Sequence, residues 1–306
     1  MSAAPIGLVF PGQGTQRESM GEPWRESPAW PLVDQVSEHS SVDVEELLLR
    51  TPGERLRRTD LAQLAVYTVS LMAWREAADA GLLTGAVACA GHSLGEYTAL
   101  TAAGVLDLRD GVALVTARGR AMRQAAEDRP GTMGVLVRAG LPEAEKLVAE
   151  AAAEGHGLWV ANINGPGQVV VSGGEEAVGF AERRAPDLGA KLIRVPVGGA
   201  FHSPFMAPAA EELRAAVVRA SFGPGRMPVV ANVDGRPYDG SGDWPELVTR
   251  QLVSPVRWEE SVHTLTGRLG CRRLVELGPG RTLAGLVRRI TPDVPVDSYD
   301  APAARP

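Results

Sequence analysis

Short runs of apolar residues, each followed by an amphipathic stretch, recur along this chain. Residues 6–10 (Ile-Gly-Leu-Val-Phe) form an unbroken apolar run and predict a buried first strand. The run passes into Pro11-Gly12-Gln13-Gly14-Thr15-Gln16, whose glycines let backbone N–H groups approach a partner closely. An ordinary strand-to-helix turn would account for this loop equally well. Helical spacing follows at 31–39 and 44–50. A longer helix is expected over 61–80, opened by Asp60 with Gln63 three residues on as a capping pair. Small apolar residues at 86–90 predict a second buried strand, which breaks at Gly91. Helical periodicity resumes from Leu94 to Leu106, and Asp107 opens another helix, 108 to about 128, carrying Arg118 and Arg120.

The texture changes near Pro130-Gly131. From there the pattern predicts strand 132–138, helix 142–154, strands 158–163 and 168–172, helix 175–184 and strand 190–197. Asn164-Gly165-Pro166-Gly167 supplies the turn chemistry of a hairpin between the middle strands. The order β-α-β-β-α-β is the ferredoxin-like arrangement. It predicts a small domain, 129–197, inserted into a large α/β domain with a parallel sheet built from 1–128 and 198–306. After the insert come a loop, Gly198-Gly199-Ala200-Phe201-His202-Ser203-Pro204, and a helix to about 221. Strand 228–233, helices 244–253 and 258–269, strand 273–277 and helix 282–290 complete the pattern. The Pro/Ala-rich tail from about 300 to 306 is expected to be disordered.

Composition narrows the function classes. The 306 residues are 44% hydrophobic and 22% charged, ordinary values for a globular protein with a large core. No apolar run reaches the ~18 residues of a membrane span, and the first five residues lack the basic segment of a signal peptide. Cys89 and Cys271 both lie in apolar stretches, which fits buried thiols in a reducing cytoplasm better than a disulfide or a metal site. A net charge of −6 with no basic stripe argues against nucleic acid as a partner.

The chemistry centres on Gly91-His92-Ser93-Leu94-Gly95. A G-x-S-x-G run between a strand and a helix is the context of a nucleophile elbow, with glycines where side chains would not fit and the serine at the apex. A Gly-Ser turn matching a loose pattern is the plainer alternative. A serine nucleophile needs a base, and the chain has five histidines. His39, His156 and His263 lie in polar or Gly-flanked contexts and read as solvated. His92 is bound into the turn, where it would support the loop. His202 opens a helix from a glycine-rich loop at a strand end, which makes it the best candidate base for Ser93. No triad aspartate presents itself.

Taken together, the Gln13 loop, the Ser93 elbow followed by Glu96, Arg118-Gly119, the Asn164 hairpin, Ala200-Phe201-His202-Ser203-Pro204 and Val275-Glu276-Leu277-Gly278-Pro279-Gly280 resemble malonyl-CoA:acyl carrier protein transacylases. They resemble equally the related acyltransferase domains of polyketide synthases. The likeness runs from about 7 to 290. It implies an α/β-hydrolase-like large domain with a ferredoxin-like insert, and a Ser–His pair whose histidine is steadied by a main-chain carbonyl. The matching position is Gln251. It also implies an acyl-serine intermediate on Ser93, with His202 as general base and acyl-CoA as donor. The phosphopantetheine thiol of an acyl carrier protein would be the acceptor. No bound cofactor is implied, because the thioesters are substrates. The N–H of Leu94, next after the nucleophile, would form one half of the oxyanion hole; by resemblance Gln13 supplies the other.

Arg118, 25 residues after Ser93, matches the arginine that holds the free carboxylate of the malonyl group. On residue type alone it reads as a surface helix arginine; the resemblance reverses that reading. Phe201 matches the bulky residue of malonyl-selective members, and Asn164 and Gln63 fall with it among the substrate-binding positions. Two positions depart from the family pattern: Leu64, where proline usually follows the glutamine, and Phe205, where leucine is common. Both would bear on the pocket wall. Transfer of a different, non-malonyl acyl group between carrier proteins is therefore an alternative, and a serine thioesterase or hydrolase is another.

Overall fold

The computed structural model of the chain describes residues 4–240 and 242–302. Among the described residues ten strands form two sheets. The larger has the order β10-β9-β1-β2-β7-β8, in which β1 is Ile6–Phe10, β2 Ala86–Gly91, β7 Val229–Val230, β8 Pro237–Tyr238, β9 Arg273–Leu277 and β10 Val296–Tyr299. β1 is buried along its whole length and pairs in parallel with β2 on one side and β9 on the other. β2–β7 and β9–β10 are parallel too, so only the short β8 edge runs against the rest. A strand flanked by helices on both faces has no solvated side, which is why β1 reads as continuous apolar sequence. The mixed α/β architecture with a parallel sheet is thus as the pattern predicts.

The smaller sheet is antiparallel throughout, with order β4-β5-β3-β6: β3 is Thr132–Val137, β4 Leu158–Gly165, β5 Gln168–Gly173 and β6 Lys191–Val195. Its side chains divide with period 2. Leu136, Val169 and Val171 pack under the helices Leu141–Ala153 and Glu175–Arg184 in a core of their own. Met133, Val135 and Val170 point the other way, toward the large sheet. The β4 edge is tied to the larger unit by two main-chain hydrogen bonds of 2.9 Å, from Ile163 N–H to the Val256 carbonyl and from Val256 N–H to the Ala161 carbonyl.

Several expectations are corrected. The helix expected over 61–80 is Thr59–Asp79, and Asp60 does not cap it. Asp60 sits inside the first turn, where it pairs with Arg58 at 2.8 Å and Arg123 at 3.4 Å, so ion pairing has taken the carboxylate that capping would have used. Strand 228–233 shrinks to two residues because Asn232 turns its side chain into the site described below. The 258–269 stretch divides into an α-helix, Trp258–His263, and a π-helical turn, Thr264–Arg268. In the hairpin Asn164 and Gly165 belong to β4, leaving Pro166 and Gly167 as the turn. β10, unsuspected because Val296–Tyr299 is half polar, forms against the open edge of β9 and pairs Asp297 with Arg273 at 2.6 Å. Of the tail expected to be disordered, 303–306 lie outside the described residues; Asp300 lies 3.9 Å from Arg281. Among the described residues no helix is long and apolar enough to cross a membrane.

Candidate active site

The loops leaving the carboxyl ends of β1, β2 and β7 converge, as ligand sites on parallel sheets do. They meet the open face of the small sheet across a cleft of about 280 Å³, lined mainly by apolar side chains. Ser93 stands at the end of β2 with φ of 53°, a left-handed conformation rare for a side-chain-bearing residue. The turn is tight enough that a Cβ on Gly91 would lie 1.9 Å from the Gly95 carbonyl carbon, and one on Gly95 2.1 Å from the Phe10 carbonyl oxygen. Strain of this kind persists only when surroundings fix it. Here Ser93 N–H donates to Asn232 Oδ1 at 2.7 Å, Asn232 Nδ2 donates to the Gly91 carbonyl at 2.7 Å, and Gln251 Nε2 donates to the Ser93 carbonyl at 2.9 Å.

His202 lies 109 residues on, with its Nε2 2.8 Å from Ser93 Oγ. Its other nitrogen, Nδ1, donates to the main-chain carbonyl of Gln251 at 2.9 Å. A carbonyl can only accept, so the proton is held on Nδ1 and Nε2 presents its lone pair to the serine hydroxyl. His202 also has a positive φ, 57°, in a loop braced by Ser203 Oγ, which donates to the Ala200 carbonyl at 2.6 Å and accepts from Phe205 N–H. Burial, reinforced by the Arg118 charge, depresses the imidazole to about 3 against the pull of the Gln251 carbonyl, so His202 is neutral at neutral pH.

Arg118 is only 1% exposed, although it lies on the amphipathic helix Leu108–Asp128. One terminal nitrogen donates to Gln63 Oε1 at 2.7 Å; the other donates to Gln251 Oε1 at 2.9 Å and to Ser93 Oγ at 3.0 Å. Its Nε has no hydrogen-bond partner among the described residues, and its guanidinium lies 5.4 Å from the centre of the Tyr97 ring. A buried carboxyl, Glu96, reaches Arg118 through the Gln251 amide: Glu96 Oε1 accepts from Gln251 Nε2 at 3.0 Å, and Oε2 accepts from Asn232 N–H at 2.6 Å. Burial pushes Glu96 up, to about 8, while these donors and the Arg118 charge pull it back toward the carboxylate.

The remaining expected residues are dispersed around this centre. Gln13 and Phe201 line the cleft, and Leu94 follows the nucleophile at the start of the helix Gly95–Ala103. Asn164 lines it as well, and accepts from His92 Nε2 at 2.9 Å, so His92 braces the elbow against β4. Gln63 is a correction. It is fully buried behind Arg118, where it also donates to Met122 Sδ at 3.4 Å, so it reaches the cleft only through the arginine. Phe205 does not wall the cleft either. It is covered by Arg129, 3.6 Å from the ring centre, and meets Trp159 edge-on at 5.7 Å; Leu64 is core. Sequence reasoning missed Asn232, Met122 and the small-sheet wall. Asn232 had one available signal, a lone polar residue inside the apolar run 228–233.

The acyl transferase domain family matches residues 8–289. A malonyl CoA-acyl carrier protein transacylase of Salmonella typhimurium is 36% identical over 97% of this chain and 96% of its own. Among solved structures, the malonyl-CoA:acyl carrier protein transacylase of Xanthomonas oryzae pv. oryzae superposes with a TM-score of 0.92 at 36% identity, over 99% of this chain and 96% of that one. A malonyl-transacylase solved in complex with a type II PKS acyl-carrier protein has a TM-score of 0.89 at 33% identity, over 97% and 96%. With a serine elbow, a carbonyl-steadied histidine and a buried arginine beside that serine, and with likeness over nearly its whole length, this chain belongs to the malonyl-CoA:acyl carrier protein transacylase family of acyl transferase domains.

Proposed function

We propose that this protein moves a malonyl group from coenzyme A to the phosphopantetheine thiol of an acyl carrier protein. The observation that carries this reading is Arg118: a buried guanidinium with an unpartnered Nε, one hydrogen bond from Ser93 Oγ. A guanidinium binds a carboxylate through paired N–H donors, and burial strengthens the pairing. An acyl group carrying a free carboxylate, with its thioester carbon at Ser93, satisfies that charge.

Ser93 Oγ attacks the thioester carbon while its proton passes to His202 Nε2. The developing oxyanion is received by the N–H groups of Leu94 and Gln13; losing one such donor typically costs ~10²–10³ in rate. The carbonyl re-forms, CoA leaves as a thiol with the proton from His202, and malonyl-Ser93 remains. The carrier's thiol then gives its proton to His202 and attacks the ester, and Ser93 recovers a proton from His202 as it leaves. This is a ping-pong cycle. Phe201 and Asn164 bound the acyl group, and Gln63 and Gln251 hold Arg118. The apolar wall of Met122, Met133, Val135 and Val170 supports the exclusion of water from the acyl-enzyme. The thioesters are substrates and no bound cofactor takes part.

The larger unit is read as α/β-hydrolase-like, 1–128 with 198–306, and the smaller, 129–197, as an inserted ferredoxin-like domain. The strand order β4-β5-β3-β6 and the separate apolar core support the second reading. A cytoplasmic setting, where CoA thioesters are made, accords with two free buried thiols. The test is radiolabelled malonyl-CoA with and without a carrier protein. Label on the carrier is the expected result; free malonate alone would mean a hydrolase, and a hydrolase has no need of a carboxylate clamp.

A further inference from the structure

We infer that Glu96 is a positioning residue that helps fix which way round the Gln251 side-chain amide sits, and through it the aim of Arg118 at the acyl carboxylate. The inference rests on the malonyl reading above. Glu96 is fully buried, three residues past Ser93 in the first turn of the following helix, and takes no part in the proton transfers.

The oxygen and nitrogen ends of an amide side chain are nearly equal in size, so neighbours choose between the two orientations by hydrogen bonding alone. At Gln251 three acceptors stand on one side, the Ser93 carbonyl at 2.9 Å, Glu96 Oε1 at 3.0 Å and Asn232 Oδ1 at 3.5 Å, and Nε2 donates to them. On the other side stands a donor, Arg118, 2.9 Å from Oε1. Reversing the amide would set NH₂ against the guanidinium and Oε1 against the carboxyl. Both Glu96 oxygens accept hydrogen bonds, Oε1 from Gln251 Nε2 and Oε2 from Asn232 N–H, so the carboxyl presents an acceptor to the amide. Its second oxygen is held by Asn232 N–H at 2.6 Å, so the carboxyl itself cannot swing away.

Gln251 also holds His202, but through its main-chain carbonyl, which does not depend on the amide's orientation. Glu96 therefore acts on the carboxylate clamp separately from the base, and the Ser93 elbow, though it shares Gln251 Nε2, keeps its own Asn232 bonds at Ser93 N–H and the Gly91 carbonyl. Gln63 still holds the other arm of Arg118, so loss of the relay misaims the guanidinium without freeing it.

Glu96→Gln separates the two functions. The new amide can keep its oxygen on Asn232 N–H and turn its NH₂ toward Gln251, which sets two NH₂ groups against each other and leaves the Ser93 carbonyl and Arg118 alone to favour the native orientation. Acyl-enzyme formation from malonyl-CoA and acetyl-CoA would be measured for the wild type, Glu96→Gln, Gln251→Met and the double variant. The expected result is a fall of about 10–100-fold in malonyl kcat/KM, mostly through KM, with acetyl loading changed less than about threefold. In the Gln251→Met background Glu96→Gln should add little, because the relay is already broken. Equal losses for both acyl groups, or an undiminished Glu96→Gln effect in that background, would overturn the inference. If Glu96→Gln does not fold, a Gln251→Met protein that retains full malonyl preference would overturn it as well. A wild-type protein that loads no malonyl would remove the functional reading and this relay together. A wild type that loads malonyl, with the variants failing as described, removes the relay alone.

Discussion

Arg118 donates a hydrogen bond to the hydroxyl oxygen of Ser93 at 3.0 Å, from a helix that begins 15 residues after the elbow. The proposed nucleophile and the proposed carboxylate clamp thus touch before any substrate arrives. Arg118→Ala should cost malonyl loading about 10–150-fold, since hydrogen bonds to charged groups are worth ~1.5–3 kcal/mol. Acetyl-CoA, with no carboxylate, should lose nothing. Arg118→Lys should fall between, because it keeps the charge but not the fork. Equal slowing of both acyl groups in a rate comparison would make Arg118 structural.

Ser93→Ala should form no covalent acyl-enzyme. Intact-protein mass spectrometry after mixing with malonyl-CoA reads the outcome directly, and a normal mass increase in the variant would remove Ser93 from its role.

The depressed imidazole of His202 gives a pH signature. Its folded value, about 3, lies below the ordinary 6.5, so between these limits the unfolded chain binds a proton that the native protein refuses. Its contribution to stability is therefore complete above about pH 6.5 and is lost as pH falls toward 3, up to roughly 4–5 kcal/mol in all. Urea midpoints measured down to pH 4.5 should fall more steeply for wild type than for His202→Gln. The same variant should lose ~10²–10⁴-fold in transfer. Malonyl kcat/KM should show no acid limb near pH 6.5; a limb there would place the imidazole in its usual range.

Asn232 holds the elbow from both sides, accepting from Ser93 N–H and donating to the Gly91 carbonyl. Asn232→Ala leaves those two main-chain groups unpaired, each at about 1–3 kcal/mol. A clear drop in thermal midpoint should accompany a loss of loading with both acyl groups, since the nucleophile itself is released. A variant as stable and active as wild type would show that the left-handed Ser93 needs no such brace.

By itself the sequence determined most of the order of elements, β10 excepted, and marked Ser93 and His202 as candidates, because both readings are local. Apolar runs, helical periodicity and the Asn164 hairpin fix strands and helices from near neighbours. A glycine-flanked serine between strand and helix is likewise legible within a few residues. Resemblance supplied Arg118 and the Gln251 carbonyl, which no local pattern distinguishes from a surface arginine or a helix-end glutamine. Only the tertiary structure decided how these charges are held. Glu96, Asn232 and Gln251 are separated by 136 and 19 residues, yet they form one buried hydrogen-bond network. It took the packed structure to move Gln63 behind Arg118, turn Phe205 out of the cleft wall and add β10 to an open edge. Each of those outcomes depends on what the rest of the chain places opposite a side chain, and spacing along the sequence carries no record of that.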